Sequence, residues 1–170
     1  MRLPFKIDLK DKVAVVTGGG GVLCSCFAKA LAQCGAKIAV INLTEDKAKL
    51  VAEEIINEGG TAIGISGDVT DPESMKVAHA VVNEKLGPCD ILINGAGGNN
   101  LKGTTTKEYF FSEDLEGKED LITFFDLDPR VVESIFGLNF LGTLISTQVF
   151  ARDMIVRKGI IINISSMNSF

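Results

Sequence analysis

Short apolar runs alternate with amphipathic stretches along this chain, and that alternation constrains its fold more than any other feature. VAVV at 13–16, KIAVI at 37–41, TAIGIS at 61–66, DILIN at 90–94 and GIIINIS at 159–165 have the length and β-branched content of strands. VAVV is apolar at every position, as expected of a strand buried on both faces. After it, Phe27, Ala30, Leu31 and Cys34 recur at helical spacing until Gly35 ends the pattern. Thr44 is placed to cap a second helix. Glu45 and Asp46 fall in its first turn, Leu50, Val51, Ile55 and Ile56 form its apolar stripe, and Gly59 and Gly60 stop it. Asp71-Pro72 and Asp128-Pro129 each set a capping carboxylate before a proline at the first helical position. The first predicts a helix to about Leu86, the second a long helix toward Arg157. Strands joined by helices of this length require right-handed parallel crossovers, so the expected fold is α/β, a doubly wound parallel sheet in one domain over 1–170.

At 46% hydrophobic and 23% charged residues, the chain can bury a real core and does not read as disordered. Its net charge is −5 and its basic residues are dispersed, which excludes a nucleic-acid backbone or an anionic membrane as the expected partner. Gly and charge break the apolar runs before membrane-spanning length, so a soluble, cytoplasmic protein is expected. Cys24, Cys26, Cys34 and Cys89 match no metal-ligand spacing and His79 is the one histidine. Reduced structural thiols and no metal are expected, with His79 at the surface or boundary.

One segment departs from the alternation: NNLKGTTTKEYFFSEDLEGKEDLITFFD, 99–126. It is polar, weakly periodic and long for a connection, and reads either as an inserted functional loop or as a solvated excursion. Thr104, Thr105, Thr106 and Lys107 would suit a hydroxylated carboxylate, and Tyr109, Phe110 and Phe111 read as aromatic anchors of the loop.

The first strand runs into TGGGGVLC, 17–24. Glycines at a strand-to-helix turn let backbone amides approach a pyrophosphate at the helix N-terminus. Gly18, Gly20, Gly21, Val22 and Leu23 are therefore candidates for holding a dinucleotide. At the end of the second strand, where an Asp would hold the adenosine ribose, stands Asn42 with no Arg after it, which slightly favours NAD over NADP. Asp68, just past the third strand, reads as a turn residue or as an adenine contact at the ligand crevice. Asn139 shares a helix face with Val132, Ile135, Phe136 and Thr143 and reads as a buried amide, either structural or catalytic. Ser166, past the fifth strand, is an ordinary turn residue or a hydrogen-bond donor to a substrate carbonyl.

These residues resemble the short-chain dehydrogenase/reductase family along the whole chain. Its T-G-x-x-x-G-x-G pattern is met by Thr17 and Gly18, while Val22 and Cys24 stand where its later glycines would be. GDV at 67–69 resembles the segment with the acidic residue beside adenine, which adds Val69 to Asp68. NGAG at 94–97 resembles its N-N-A-G and adds Asn94, Ala96 and Gly97 as cofactor contacts. LNFLGT at 138–143 and NISS at 163–166 resemble the segments with the active-site Asn and Ser, implying Asn139 and Ser166 as catalytic. The wording of TGGGGVLC, INGAGGNN, FFDLDP, LNFLGTL and INISSMN is similar to a sugar-acid branch of the family, the D-mannonate oxidoreductases or fructuronate reductases.

The resemblance implies a Rossmann-like fold, NAD or NADP as cofactor, and hydride transfer to or from a secondary alcohol or ketone of a small sugar acid. It also implies a homo-oligomer in the complete enzyme. The family's Tyr and the Lys four residues after it have no match: the one tyrosine is Tyr109, and Glu113 lies four residues on. The chain is thus expected to be the N-terminal, cofactor-binding part of a longer enzyme, without the last strands of the family's sheet. A non-catalytic dinucleotide-binding module and an inactive truncated product are the alternatives. In either case an apolar fifth strand is expected to lie exposed at the sheet edge.

Overall fold

Five parallel strands form the centre of the computed structural model, which describes residues 7–116 and 120–166. They are β1 Val13–Thr17, β2 Lys37–Asn42, β3 Thr61–Ser66, β4 Ile91–Asn94 and β5 Ile160–Asn163, in the order 3-2-1-4-5. The helices are α1 Val22–Gln33, α2 Glu45–Asn57, α3 Pro72–Lys85, α4 Pro129–Phe136 and α5 Gly142–Arg157. Side chains alternate across the sheet. Ala14, Val16, Ile38 and Val40 pack with Ala28 of α1 and Ala48, Val51 and Ile55 of α2, while Val13, Val15, Ala39 and Ile41 pack with Met75 and Val82 of α3 and Phe150 of α5. Both faces being covered, the central strands read as continuous apolar runs rather than alternating ones.

Both Asp-Pro starts are as the sequence predicts: Asp71 accepts from the Glu73 amide and Asp128 from the Arg130 amide, each at 2.9 Å. Three other expectations are corrected. Thr44 occupies the N-cap of α2, but its side chain makes no capping bond. Leu50 and Ile56 are exposed, and the buried stripe is Ala48, Val51, Ala52 and Ile55. The reason lies in β3, where a Cβ on Gly64 would come within 2.5 Å of the Ala48 carbonyl carbon and the Lys49 amide. The helix backbone rests on that glycine, and at such close approach alanines fit the interface where leucine would not. Finally, the helix from Pro129 is not uniform, because a π-helical turn, Gly137–Leu141, separates α4 from α5. By length and composition the run Pro129–Arg157 could cross a membrane, but α5 buries Ser146, Phe150 and Met154 against the rest of the fold.

Two polar clusters fasten the layers. The buried Asp90 carboxylate, just before β4, accepts the Val13 amide at 3.0 Å, Lys12 Nζ at 3.2 Å and Arg157 Nη2 at 3.0 Å, joining β1, β4 and the end of α5. His79 of α3 pairs its Nε2 with Asp153 of α5 at 2.9 Å and sets its ring edge against Phe150. β5 pairs only with β4 among the described strands, and Ile160, Ile161 and Ile162 are all exposed, as expected of an uncovered edge.

Candidate cofactor-binding site

β1 is hydrogen-bonded to β2 on one side and β4 on the other, so the connections diverge at the carboxyl ends of β1 and β4. A crevice is expected at such a switch point, and a cleft of about 330 Å³ lies there. One wall is the turn after β1, with Gly18, Gly20 and Gly21 and the first helical residues Val22, Leu23 and Cys24. The facing wall is Gly95, Ala96 and Gly97 after β4, with Asn42, Lys47 and Ile164 at the rim.

The walls are held together at backbone level. Thr17 Oγ1 accepts the Gly95 amide at 3.2 Å and the Ala96 amide at 3.3 Å. Gly18 has φ +63°, and a Cβ there would fall 2.8 Å from the Ala96 Cα, so both its conformation and its crowding require glycine. Gly19 donates to the Ile41 carbonyl at 3.1 Å and Gly21 to the Gly18 carbonyl at 2.9 Å, which closes the turn. Gly21 is the N-cap of α1, with no side-chain cap and no acid in the first turn. The amides of that turn have no intrahelical acceptor. Their partial positive charge faces a cleft whose floor at Gly20 a Cβ would fill, since it would lie 2.7 Å from Lys47 Cβ and 3.0 Å from Asn42 Cγ. The donors and the space fit a pyrophosphate.

At the rim, Asn42 Nδ2 donates to the Thr44 carbonyl at 3.1 Å, which turns Oδ1 to acceptor duty beside Gly20. Lys47 makes no ion pair among the described residues, so its charge is available to a ligand. Asp68 is not on the cleft lining. Its carboxylate accepts the Thr70 amide at 2.9 Å and hydroxyl at 2.7 Å in a local turn. Val69 is buried against Gly142. Asn94 is buried beneath the cleft, donating to Thr147 Oγ1 at 2.9 Å and to Asn163 Oδ1 at 2.8 Å, and so ties β4 to α5 and β5.

Asn139, expected as a buried amide, is exposed. It sits in the π-helical turn and grips the loop after β4: its Oδ1 accepts the Gly98 amide at 3.1 Å, and its Nδ2 donates to the carbonyls of Gly98 at 2.8 Å and Ile135 at 2.9 Å. A π turn disturbs the i→i−4 ladder and frees such a carbonyl. A Cβ on Gly97 would fall 2.6 Å from Asn139 Oδ1, so this amide presses against the end of the cleft wall. Ser166 lies exposed past β5. In the loop, Lys107 is committed to the buried Asp114 at 2.5 Å, and Thr104, Thr105 and Thr106 bond to Asn99, the Lys107 carbonyl and Ile122, so these groups build the loop itself. Phe110 packs edge-on to Phe125, while Tyr109 is exposed. No cluster of three or more metal-ligating side chains occurs among the described residues.

The sequence reading missed Cys24, Lys47, Gly95 and Ile164. Burial raises the Cys24 thiol above its ordinary value, keeping it a neutral donor toward the Gly95 carbonyl at 3.7 Å. Lys47 carried a legible signal, falling in the first turn of the helix that follows Asn42; Ile164 reaches the rim only because β5 pairs with β4.

Comparison with known proteins agrees with this geometry. The family model described as short chain dehydrogenase matches residues 12–170. An "Uncharacterized oxidoreductase" of Haemophilus influenzae is 47% identical over all of this chain and 59% of its own length, and the "Uncharacterized oxidoreductase UxuB" of Bacillus subtilis is 40% identical over 99% and 59%. A crystal structure of a Haemophilus influenzae protein with bound NAD, provisionally named D-mannonate oxidoreductase, superposes with TM-score 0.90 at 46% identity, covering 95% of this chain and 57% of that one. The chain thus spans less than two thirds of the length of these relatives. Strand order, glycine turn and family match converge: the chain belongs to the short-chain dehydrogenase family.

Proposed function

We propose that the cleft binds NAD or NADP, with NAD favoured, and serves an oxidoreductase in which hydride passes between the nicotinamide and a secondary alcohol or ketone of a sugar acid. One observation carries the reading: an uncapped, acid-free helix N-terminus opens onto a glycine cradle at the sheet's switch point. When bound, the dinucleotide supplies the hydride chemistry. The chain's own groups bind and orient. The first-turn amides of α1 take the pyrophosphate, and Asn42 Oδ1 accepts from a ribose hydroxyl. Asn139 braces the loop after β4, and Ser166 donates to the substrate oxygen. The NAD in the crystallised relative and its name support the preference and the substrate class. A cytoplasmic homo-oligomer acting on a small molecule completes the proposal.

A second reading, a dinucleotide-binding module without catalysis, is favoured by Asn139, whose side chain is spent on the Gly98 backbone and the Ile135 carbonyl. Fluorescence titration with NADH and NADPH, followed by turnover on hexuronates, polyols and steroids, separates the readings. NADH binding with turnover of sugar acids or polyols is expected. Binding without turnover supports the module, tighter NADPH binding overturns the NAD preference, turnover of steroids alone overturns the substrate class, and no binding overturns both readings.

A further inference from the structure

The geometry points to Cys24 and Gly95 as a matched pair that fixes the facing wall of the cofactor cleft, which makes Cys24 a positioning residue for the dinucleotide. The inference rests on the dinucleotide reading of the cleft. Cys24 is the third residue of α1, so its amide is one of the first-turn donors without an intrahelical acceptor, while its side chain turns inward and the residue as a whole is 5% exposed. There it meets the Gly95 peptide. Thr17 Oγ1 accepts the amide of that residue at 3.2 Å, and Cys24 Sγ donates to its carbonyl at 3.7 Å, so both polar groups of Gly95 are gripped from the glycine-turn side.

The fit depends on what Gly95 lacks. A Cβ at that position would lie 2.2 Å from Cys24 Sγ, a separation no side chain tolerates, but 3.7 Å from Cys24 Cβ, which is ordinary contact. The sulfur makes the severe clash with a side chain at 95, and the Thr17 carbonyl oxygen, 3.1 Å from the same Cβ, a milder one. The wall has little room to yield, since Gly18 already sits where any Cβ would be 2.8 Å from Ala96. A side chain at 95 must therefore shift the 95–97 wall relative to the amides that hold the phosphates. One residue thus couples the two walls, its amide on the ligand side and its thiol on the loop side.

The test is a double-substitution cycle read as the NADH dissociation constant, with the unliganded thermal midpoint measured alongside so that binding is titrated well below each midpoint. Gly95→Ala is expected to weaken NADH by about tenfold or more, within the range over which touching residues couple. Cys24→Ala/Gly95→Ala is expected to return to within about threefold of Cys24→Ala, short of full recovery because the new Cβ stays 3.1 Å from the Thr17 carbonyl oxygen. Should Gly95→Ala not fold, the double variant against Cys24→Ala decides alone. Wild-type affinity in Gly95→Ala, or a double variant as weak as Gly95→Ala, overturns the pairing while leaving the dinucleotide reading intact. A wild-type protein that does not bind NADH overturns that reading and the pairing with it.

Discussion

Replacing Asp90 by alanine removes one acceptor that serves three donors. The Val13 amide, 3.0 Å from the carboxylate, is buried with its residue, and leaving it unsatisfied costs about 1–3 kcal/mol. Lys12 and Arg157 are different: their side chains are 48% and 40% exposed and can return to water, so losing each pair adds roughly 0.5–1 kcal/mol. The expected loss is about 2–5 kcal/mol, or roughly 4–20 °C in Tm for a chain of this size. Asp90→Asn keeps an acceptor for Val13 and should lose roughly half as much. Burial works to raise the Asp90 pKa, but the Val13 amide, Lys12 and Arg157 outweigh it and hold the carboxyl below its ordinary value. A depressed folded-state pKa stabilises above the unfolded value, about 3.9, and that contribution disappears as pH falls through the folded value. The gap between wild type and Asp90→Asn should therefore be constant from about pH 5 to 8 and shrink below about pH 4. The chain has no tryptophan, so urea unfolding followed by far-ultraviolet circular dichroism is the assay. A loss under about 0.5 kcal/mol for Asp90→Ala, or a gap unchanged at low pH, would refute the reasoning.

Three further outcomes are expected. Gly64→Ala must part α2 from β3 by about 1 Å and should cost about 3 kcal/mol or more by chemical denaturation, and a loss below about 1 kcal/mol would show that the close approach is not required. Lys47→Ala should weaken NADPH about three- to tenfold and NADH less than about twofold, since only NADPH carries a 2′-phosphate for this cation, and equal effects would remove Lys47 from the ribose end. Ile160→Lys on β5 should reduce association in light scattering without changing the circular dichroism, and a wild-type chain that is already a monodisperse monomer would count against an adhesive edge.

What the sequence made legible was what local chemistry decides alone. Asp71-Pro72 and Asp128-Pro129 start helices because cap and proline are contiguous, and the five strands stand out because each is an unbroken apolar run. The glycine turn was legible for the same reason. The α2 stripe was not, because its choice of Ala48 and Ala52 over Leu50 and Ile56 is set by a glycine on another element. Asn139 was found as a site candidate but placed in the wrong surroundings, since periodicity cannot register a π turn that rotates a residue off the helical face. Thr104 to Lys107 looked like ligand-facing groups, yet their partners, Asp114 and Ile122 among them, lie where only the closed loop brings them. Cys24 read as a lost glycine because its compensation, Gly95, lies 71 residues further along the chain, just past β4.

The strand order also dictates when the cleft can exist during folding. Val13 pairs with Lys37 and Lys37 with Thr61, so β1, β2 and β3 zip through two short closures of equal span. Ala14 pairs with Ile91, about three times as far along the chain, and that closure carries the greater entropic cost before any contact rewards it. Chain entropy therefore favours a β1–β3 unit first and the docking of β4 later. The glycine turn is present in the early unit, but its facing wall, Gly95 to Gly97, arrives only with β4. A dinucleotide held between the two walls cannot recognise the partly formed chain. Its binding energy therefore opposes any opening that breaks either wall, β4's departure included, and leaves unprotected only openings that keep both walls in place, such as fraying of β3 at the far edge of the sheet.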